Sequence, residues 1–271
     1  MRTPFAILIL FVLPGSSKAQ DDVFPRFTWM QPQDTVIYHR AVDFYQAEKF
    51  AEAIRTLRQL PPNTFALAGT QRLVGLCALA MEDFSAATTA FSKGLSKDPK
   101  AVGLYYDRAF AYMHWEKYKE AAGDFRIFAE YFPDSKPVAL NLANSLNQAG
   151  ETEKAIQHLE AFPDRDSTIV NSLAWYYIEN QDYDQAIFLL EPLVNTYPDF
   201  ASAYETLSIA FSGLGYTTEA IQAVDILMDL QPEYGRAYYL KGAYLEESDR
   251  EDEAEPYFRK AKQLGYGWEE Y

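Results

Sequence analysis

Side chains that could do chemistry are thinly spread in this 271-residue chain. Its three histidines, His39, His114 and His158, stand far apart, and no two of them share a metal-ligand spacing. No HExxH, GxSxG or phosphate-binding glycine loop occurs. His114 precedes Trp115 and Glu116 at a turn signal and reads as a solvated turn residue. Cys77 is the one cysteine, so no internal disulfide can form, and its setting, LVGLCALA, is that of a small buried hydrophobe. The densest charge run, EESDREDEAE at 246–255, has seven acids in ten but lacks the alternating oxygens and central Gly of a calcium loop. Its acids straddle a turn and the expected start of the last helix, where negative charge offsets the helix dipole. No catalytic residue, metal site or cofactor follows from these residues, and an enzyme is not expected.

Composition points to recognition instead. Hydrophobic residues make up 48% and aromatics 15%, with 20 Tyr and 18 Phe, which is ample for an ordered core. The 39 acidic against 24 basic residues give a net charge of −15. A field of that sign repels phosphate backbones and anionic membrane surfaces, so nucleic acid is excluded as a partner and a neutral or basic polypeptide is favoured.

The N-terminus reads as an export signal. Arg2 precedes an apolar run from Phe5 to Leu13, broken by Pro14 and Gly15, and Ser17-Lys18-Ala19 places small residues before a cleavage point at Gln20. Nine apolar residues fall well short of the roughly 20 that span a bilayer, so residues 1–19 predict a cleaved signal peptide and a periplasmic or secreted protein. An uncleaved membrane anchor is the competing reading. Residues 20–33, QDDVFPRFTWMQPQ, are too rich in Pro for a helix and read as an extended cap or linker.

The rest of the chain repeats. An alanine recurs at Ala53, Ala87, Ala121, Ala155, Ala186, Ala220 and Ala254, spaced by 34 residues except for one interval of 31. Twelve residues before each stands a small residue: Ala41, Gly75, Ala109, Ala143, Ala174, Ser208 and Gly242. Four residues after each stands an apolar one: Leu57, Phe91, Phe125, Leu159, Leu190, Val224 and Phe258. Three registers sharing one deletion across seven copies define a repeat of two amphipathic helices. The small positions mark where helices approach to about 8 Å. Pro99, Pro133, Pro198 and Pro232 close units, and Gly150, Asn180 with Asp182, and Gly213 with Gly215 mark the turn within them.

This pattern resembles the tetratricopeptide repeat family, most fully in VGLYYDRAFAYMHWEKYKEAAGDFRIFAEYFPD. The resemblance covers 34–268, divided as 34–67, 68–101, 102–135, 136–166, 167–200, 201–234 and 235–268, with 269–271 as a tail. It implies an all-α fold, a right-handed superhelical solenoid of seven helix hairpins stabilised by nearest-neighbour stacking. The first unit stops early at Pro61-Pro62 and the fourth lacks three residues around FPDRD, so their second helices should be short.

The resemblance also implies that the first helix of each unit lines a concave groove, through its fifth, sixth, ninth and twelfth residues. Those positions hold Tyr38, His39, Val42 and Tyr45; Arg72 and Leu76; Tyr106, Asp107 and Phe110; Asn141, Asn144 and Asn147; Asn171, Ser172 and Trp175; Glu205 and Ile209. Aromatics offer contact area at little entropic cost, and Asn pairs with both groups of an extended backbone. The same aromatics would serve equally as core between helices. Paired cations for gripping a C-terminal carboxylate are missing from the equivalent positions, so that family function is not expected. The function expected is a scaffold or adaptor binding a peptide segment or partner protein in the groove. The alternative is a glycan or small ligand stacked on Tyr38, Tyr106 and Trp175.

Overall fold

The computed structural model describes residues 30–266, and among them are fifteen helices and no strand. The signal segment 1–19, residues 20–29 of the expected cap, residues 267 and 268 of the seventh repeat and the tail 269–271 lie outside the described residues. In chain order the helices are α1 (Pro32–Gln46), α2 (Phe50–Leu57), α3 (Pro62–Phe65), α4 (Ala68–Ala80), α5 (Phe84–Lys97), α6 (Gly103–His114), α7 (Tyr118–Tyr131) and α8 (Lys136–Gln148). They continue as α9 (Thr152–Glu160), α10 (Ser167–Glu179), α11 (Tyr183–Thr196), α12 (Ala201–Gly213), α13 (Thr217–Leu230), α14 (Gly235–Glu246) and α15 (Glu251–Gln263). The expected extended cap is corrected at its end: α1 begins at Pro32, because proline in the first turn gives up an N–H that has no intrahelical partner there. The second helices of the first and fourth units are indeed short, with 8 residues in α2 and 9 in α10's predecessor α9, against 14 in α5.

The chain divides into two compact units at Ser145 and Leu146, within α8. In the first unit α1 pairs with α2, α4 with α5 and α6 with α7, and successive hairpins meet through α2–α4 and α5–α6. In the second, α10 pairs with α11, α12 with α13 and α14 with α15, while α9 packs on α10 and hairpins meet through α11–α12 and α13–α14. Caps fix some starts: the Asp83 carboxylate accepts from the Ala86 N–H at 2.9 Å, and Asp166 accepts from Thr168 and Ile169 at 3.1 Å. The last helix carries Glu251, Asp252 and Glu253 in its first turn and Lys260 and Lys262 in its last, each complementing the dipole.

All seven register alanines are buried, as are the small residues twelve positions before them. The small and large registers meet across the hairpin. A Cβ added to Gly75 would lie 2.3 Å from Phe91 Cε1, and one on Gly242 would lie 2.8 Å from Phe258 Cε1. Each pair is sixteen residues apart, so the first helix supplies the gap that a ring of the second fills.

The turn inside each hairpin is equally uniform. In that turn one residue of each repeat takes a positive φ: Glu48, Glu82, Glu116, Gly150, Gln181, Gly215 and Asp249. The next residue's N–H then donates back to a carbonyl five positions earlier, as from Lys49 to Phe44 at 2.8 Å and from Asp83 to Ala78 at 2.9 Å. Only Gly adopts this conformation without steric cost, yet five of the seven residues are not Gly.

Two stability predictions follow. Gly75→Ala should destabilise the protein by about 1–2 kcal/mol, the overpacking cost exceeding the gain in helix propensity. Adding Phe91→Leu should recover most of that loss, read as the urea midpoint of the double variant against each single one. Glu82→Gly should raise the same midpoint by the equivalent of about 0.5–1 kcal/mol, because it relieves a left-handed residue at an exposed turn.

Candidate binding site on the first helices

In the first unit the helices α1, α4 and α6 bring together five of the residues that the repeat pattern singles out. Arg72 on α4 donates through Nε to Asp107 Oδ2 on α6 at 2.5 Å and through Nη2 to Oδ1 at 3.4 Å. The guanidinium lies over the start of α6, where a Cβ on Gly103 would stand 3.4 Å from its Cζ. Asp107 is fully buried and the Arg72 side chain is 12% exposed, so the pair is a fixed, neutral element. Burial pushes the Asp107 carboxyl upward against the opposing pull of Arg72. Asp107 in turn holds Arg72 charged despite its burial.

Aromatic rings surround the pair. Tyr106 lies 4.8 Å from Phe110, 4.9 Å from Phe128 and 5.7 Å from Phe125, with an edge-on approach to the last. Phe110 also meets Phe125 at 5.5 Å, and Tyr45 packs on Phe50 at 5.6 Å. Tyr45, Tyr106 and Phe110 are half-buried, each keeping some surface open. Burial raises the Tyr45 and Tyr106 hydroxyls above the ordinary phenol range, so both remain protonated donors. Tyr38 is different. It is 1% exposed, its hydroxyl reaches the Gly69 carbonyl at 3.5 Å, and it belongs to the core with Ala41, Ala53 and Leu57. The expectation that Tyr38 lines an open wall is therefore corrected: it supports the wall from behind and has no face to offer a ligand.

The remaining positions are not gathered into this cluster. Asn141 and Asn144 are half-buried on α8, and Ser145 donates to the Asn141 carbonyl at 2.8 Å. In the second unit Asn147 is taken up structurally, its Oδ1 accepting from Thr152 at 2.8 Å. Asn171 and Trp175 are half-buried on α10, and the Asn171 Oδ1 is shielded from water with no hydrogen-bond partner among the described residues. Glu205 on α12 accepts from the Tyr234 hydroxyl at 3.0 Å and pairs with Arg236 at 3.1 Å.

Two polar braces escaped the sequence reading. Arg108 grips Asp124 with two hydrogen bonds of 2.7 Å and donates to Ser92 Oγ at 2.9 Å. Lys241 pairs with Asp225 at 2.5 Å and lies 4.5 Å from the Tyr257 ring centroid. The signal was the sixteen-residue separation, shared by Arg108–Asp124 and Asp225–Lys241 with the small–large pairs. Among the described residues no group of three or more His, Cys, Asp or Glu could hold a metal ion, and no helix is long and apolar enough to cross a membrane. The arrangement sets half-buried aromatic rings beside a charge-paired guanidinium.

Burial sets an alkaline limit on stability. It pushes the Cys77 thiol from 9.0 up to about 12, and the Tyr176 and Tyr244 hydroxyls from 10.0 up to about 12. Groups raised in the fold contribute stability that is fully present below their unfolded values and lost as pH rises through the folded ones. The urea midpoint should therefore fall between about pH 9 and 12, and Cys77→Ala should flatten the part between about pH 9 and 10. An identical pH profile for the variant would contradict this assignment.

Comparison with known proteins agrees with the architecture. The family pattern described as tetratricopeptide repeat matches residues 106–168 and 206–265, and a second pattern of the same description matches 172–199. No curated protein matches the chain in sequence. Its fold is similar to that of a tetratricopeptide repeat protein from Parabacteroides merdae, at 16% identity and a TM-score of 0.67, covering 86% of this chain and 93% of that one. The C-terminal part of a TPR repeat-containing protein from Cytophaga hutchinsonii is similar at 15% identity and a TM-score of 0.63, covering 84% and 95%. MamA from Desulfovibrio magneticus RS-1 is similar at 19% identity and a TM-score of 0.52, covering 60% and 94%. These likenesses are of fold alone. The two family patterns together span more than half of the chain, which belongs to the tetratricopeptide repeat family.

Proposed function

We infer that this protein is a non-catalytic scaffold or adaptor that binds an extended segment of a partner protein across the first helices of its hairpins. Tetratricopeptide repeats mediate protein–protein interaction, and that much comes with the family. The observation that carries the finer reading is the cluster in the first unit, where Tyr45, Arg72, Tyr106 and Phe110 stand together with open surface and no nucleophile–base pair among them. Asn141 and Asn144 on α8 extend the surface with amide groups, and Asn171, Trp175 and Glu205 are the contact candidates of the second unit. The acidic balance of the chain selects a neutral or basic segment over an anionic one. Residues 1–19 direct export, so the partner is met in the periplasm or outside the cell. A glycan stacked on the same positions finds less support, because Tyr38 is covered.

The test places a photo-crosslinking amino acid at Tyr45, Phe110 or Trp175 and, as a control, at Phe188, which is 72% exposed on the second helix of its hairpin. The first three should capture a common polypeptide that the control does not. Replacing Asn141, Asn144 and Asn171 together by Ala should weaken its binding about tenfold. Capture from Phe188 alone, or full affinity in the triple variant together with no crosslink from the other three sites, would remove the reading.

A further inference from the structure

A cleft of about 390 Å³ opens in the first unit on the seam between α5 and α6, lined by Thr88, Thr89, Ser92, Lys93, Ser96 and Tyr112. It is shallow and open to solvent, and its lining is unusual for the surface of a helix. Four hydroxyl residues form one stripe of α5, although Ser and Thr are mediocre helix formers that gain little from a solvated face. The equivalent positions carry Ala122, Gly123, Arg126 and Glu130 in α7, and Ile187, Phe188, Glu191 and Asn195 in α11. The stripe is thus a property of this hairpin and not of the repeat.

The hydroxyls are also oriented. Asp124 holds Arg108 by two nitrogens, and the third donates to Ser92 Oγ at 2.9 Å, so that oxygen is occupied as an acceptor and its own proton points elsewhere. Thr88 gives its proton to the Ser85 carbonyl at 3.1 Å and Ser96 gives its proton to the Lys93 carbonyl at 2.7 Å. The exposed Ser96 oxygen therefore presents lone pairs, while Thr88 is nearly covered at the floor of the depression. Arg108 lies 5.7 Å from the Tyr105 ring centroid and 5.9 Å from that of Tyr112, which steadies the aromatic wall. A hydroxyl oriented as an acceptor at Ser96 and one left to donate at Ser92 thus stand beside a ring, with the Lys93 ammonium at the rim. An anion would want donors throughout, whereas a sugar, whose every hydroxyl both gives and takes, matches the mixture.

The geometry points to this seam as a binding site for a neutral saccharide of one or two rings, stacked on Tyr112 and hydrogen-bonded along Thr88–Ser96. The site is separate from the first-helix cluster and stands without it.

The experiment records amide and side-chain NMR shifts of the protein during titration with a panel of neutral hexoses, pentoses, N-acetylhexosamines and their disaccharides, and separately with inorganic phosphate. The expected result is saturable shifts on Thr88–Ser96 and Tyr112 with at least one sugar, at the millimolar affinity usual for shallow sites. Tyr112→Ala and Thr89→Val should each weaken that binding about tenfold. Thr89 is exposed, so its variant keeps the fold, and retained shift dispersion verifies this for both. Shifts that saturate with phosphate alone, shifts located elsewhere, or no saturable shift with any sugar of the panel would each overturn the proposal.

Discussion

Everything in this molecule hangs on how closely two antiparallel helices can approach. The register residues of the first helices leave room, and side chains sixteen positions later fill it. The match is quantitative where Gly stands: Gly75 admits the Phe91 ring and Gly242 admits that of Phe258, with no space for even a methyl group. Elsewhere the sequence balances volume, with Ala41 before Leu57, Ala174 before Leu190 and Ser208 before Val224. Ala109 before Phe125 is the exception, and there the ring joins the larger aromatic cluster of Tyr106, Phe110 and Phe128. Close packing of this kind makes a core intolerant of a change in one partner and tolerant of compensated change in both.

Onto that apolar frame the chain adds buried polar braces. Arg72–Asp107 ties the second hairpin to the third, and Arg108 ties α6 both to its own partner helix through Asp124 and to the preceding hairpin through Ser92. Such pairs contribute little net stability, because desolvation offsets most of the attraction. Their value is directional. A buried guanidinium whose carboxylate stands on a neighbouring helix meets it in one stacking register and loses it in another, which costs several kcal/mol, about 3–5. The hydrophobic interfaces alone, being periodic, discriminate less sharply between neighbouring registers.

Much of this was legible in the residues. The alanine register, the short second helices of the first and fourth units, and the acids opening α15 all depend on local spacing, which a sequence displays directly. Tyr38 was not legible as core, because its exposure is decided by a residue 31 positions away. The fifth position of a hairpin leans on the second position of the next: Tyr38 on Gly69, Arg72 on Gly103, Glu205 on Arg236. Where that neighbour is Gly, the long side chain lies down, which covers Tyr38 and leaves Arg72 only partly exposed. Where it is Arg236, Glu205 is held upright by an ion pair. Cross-hairpin contacts of this sort need the stacking geometry before the sequence can be read for them. The hydroxyl stripe on α5 was invisible for a similar reason, since its meaning depends on Tyr112 and Arg108 from the following helix.

The left-handed residue inside each hairpin turn has a consequence for how such a chain can change over time. Its backbone is fixed by hydrogen bonds that any residue can make, and Glu48, Glu82, Glu116, Gln181 and Asp249 all point their side chains into water. A replacement there alters conformational strain by a small, local amount and disturbs no packing. Each turn can therefore exchange its charge without touching the packed interior, which leaves surface chemistry adjustable apart from the architecture.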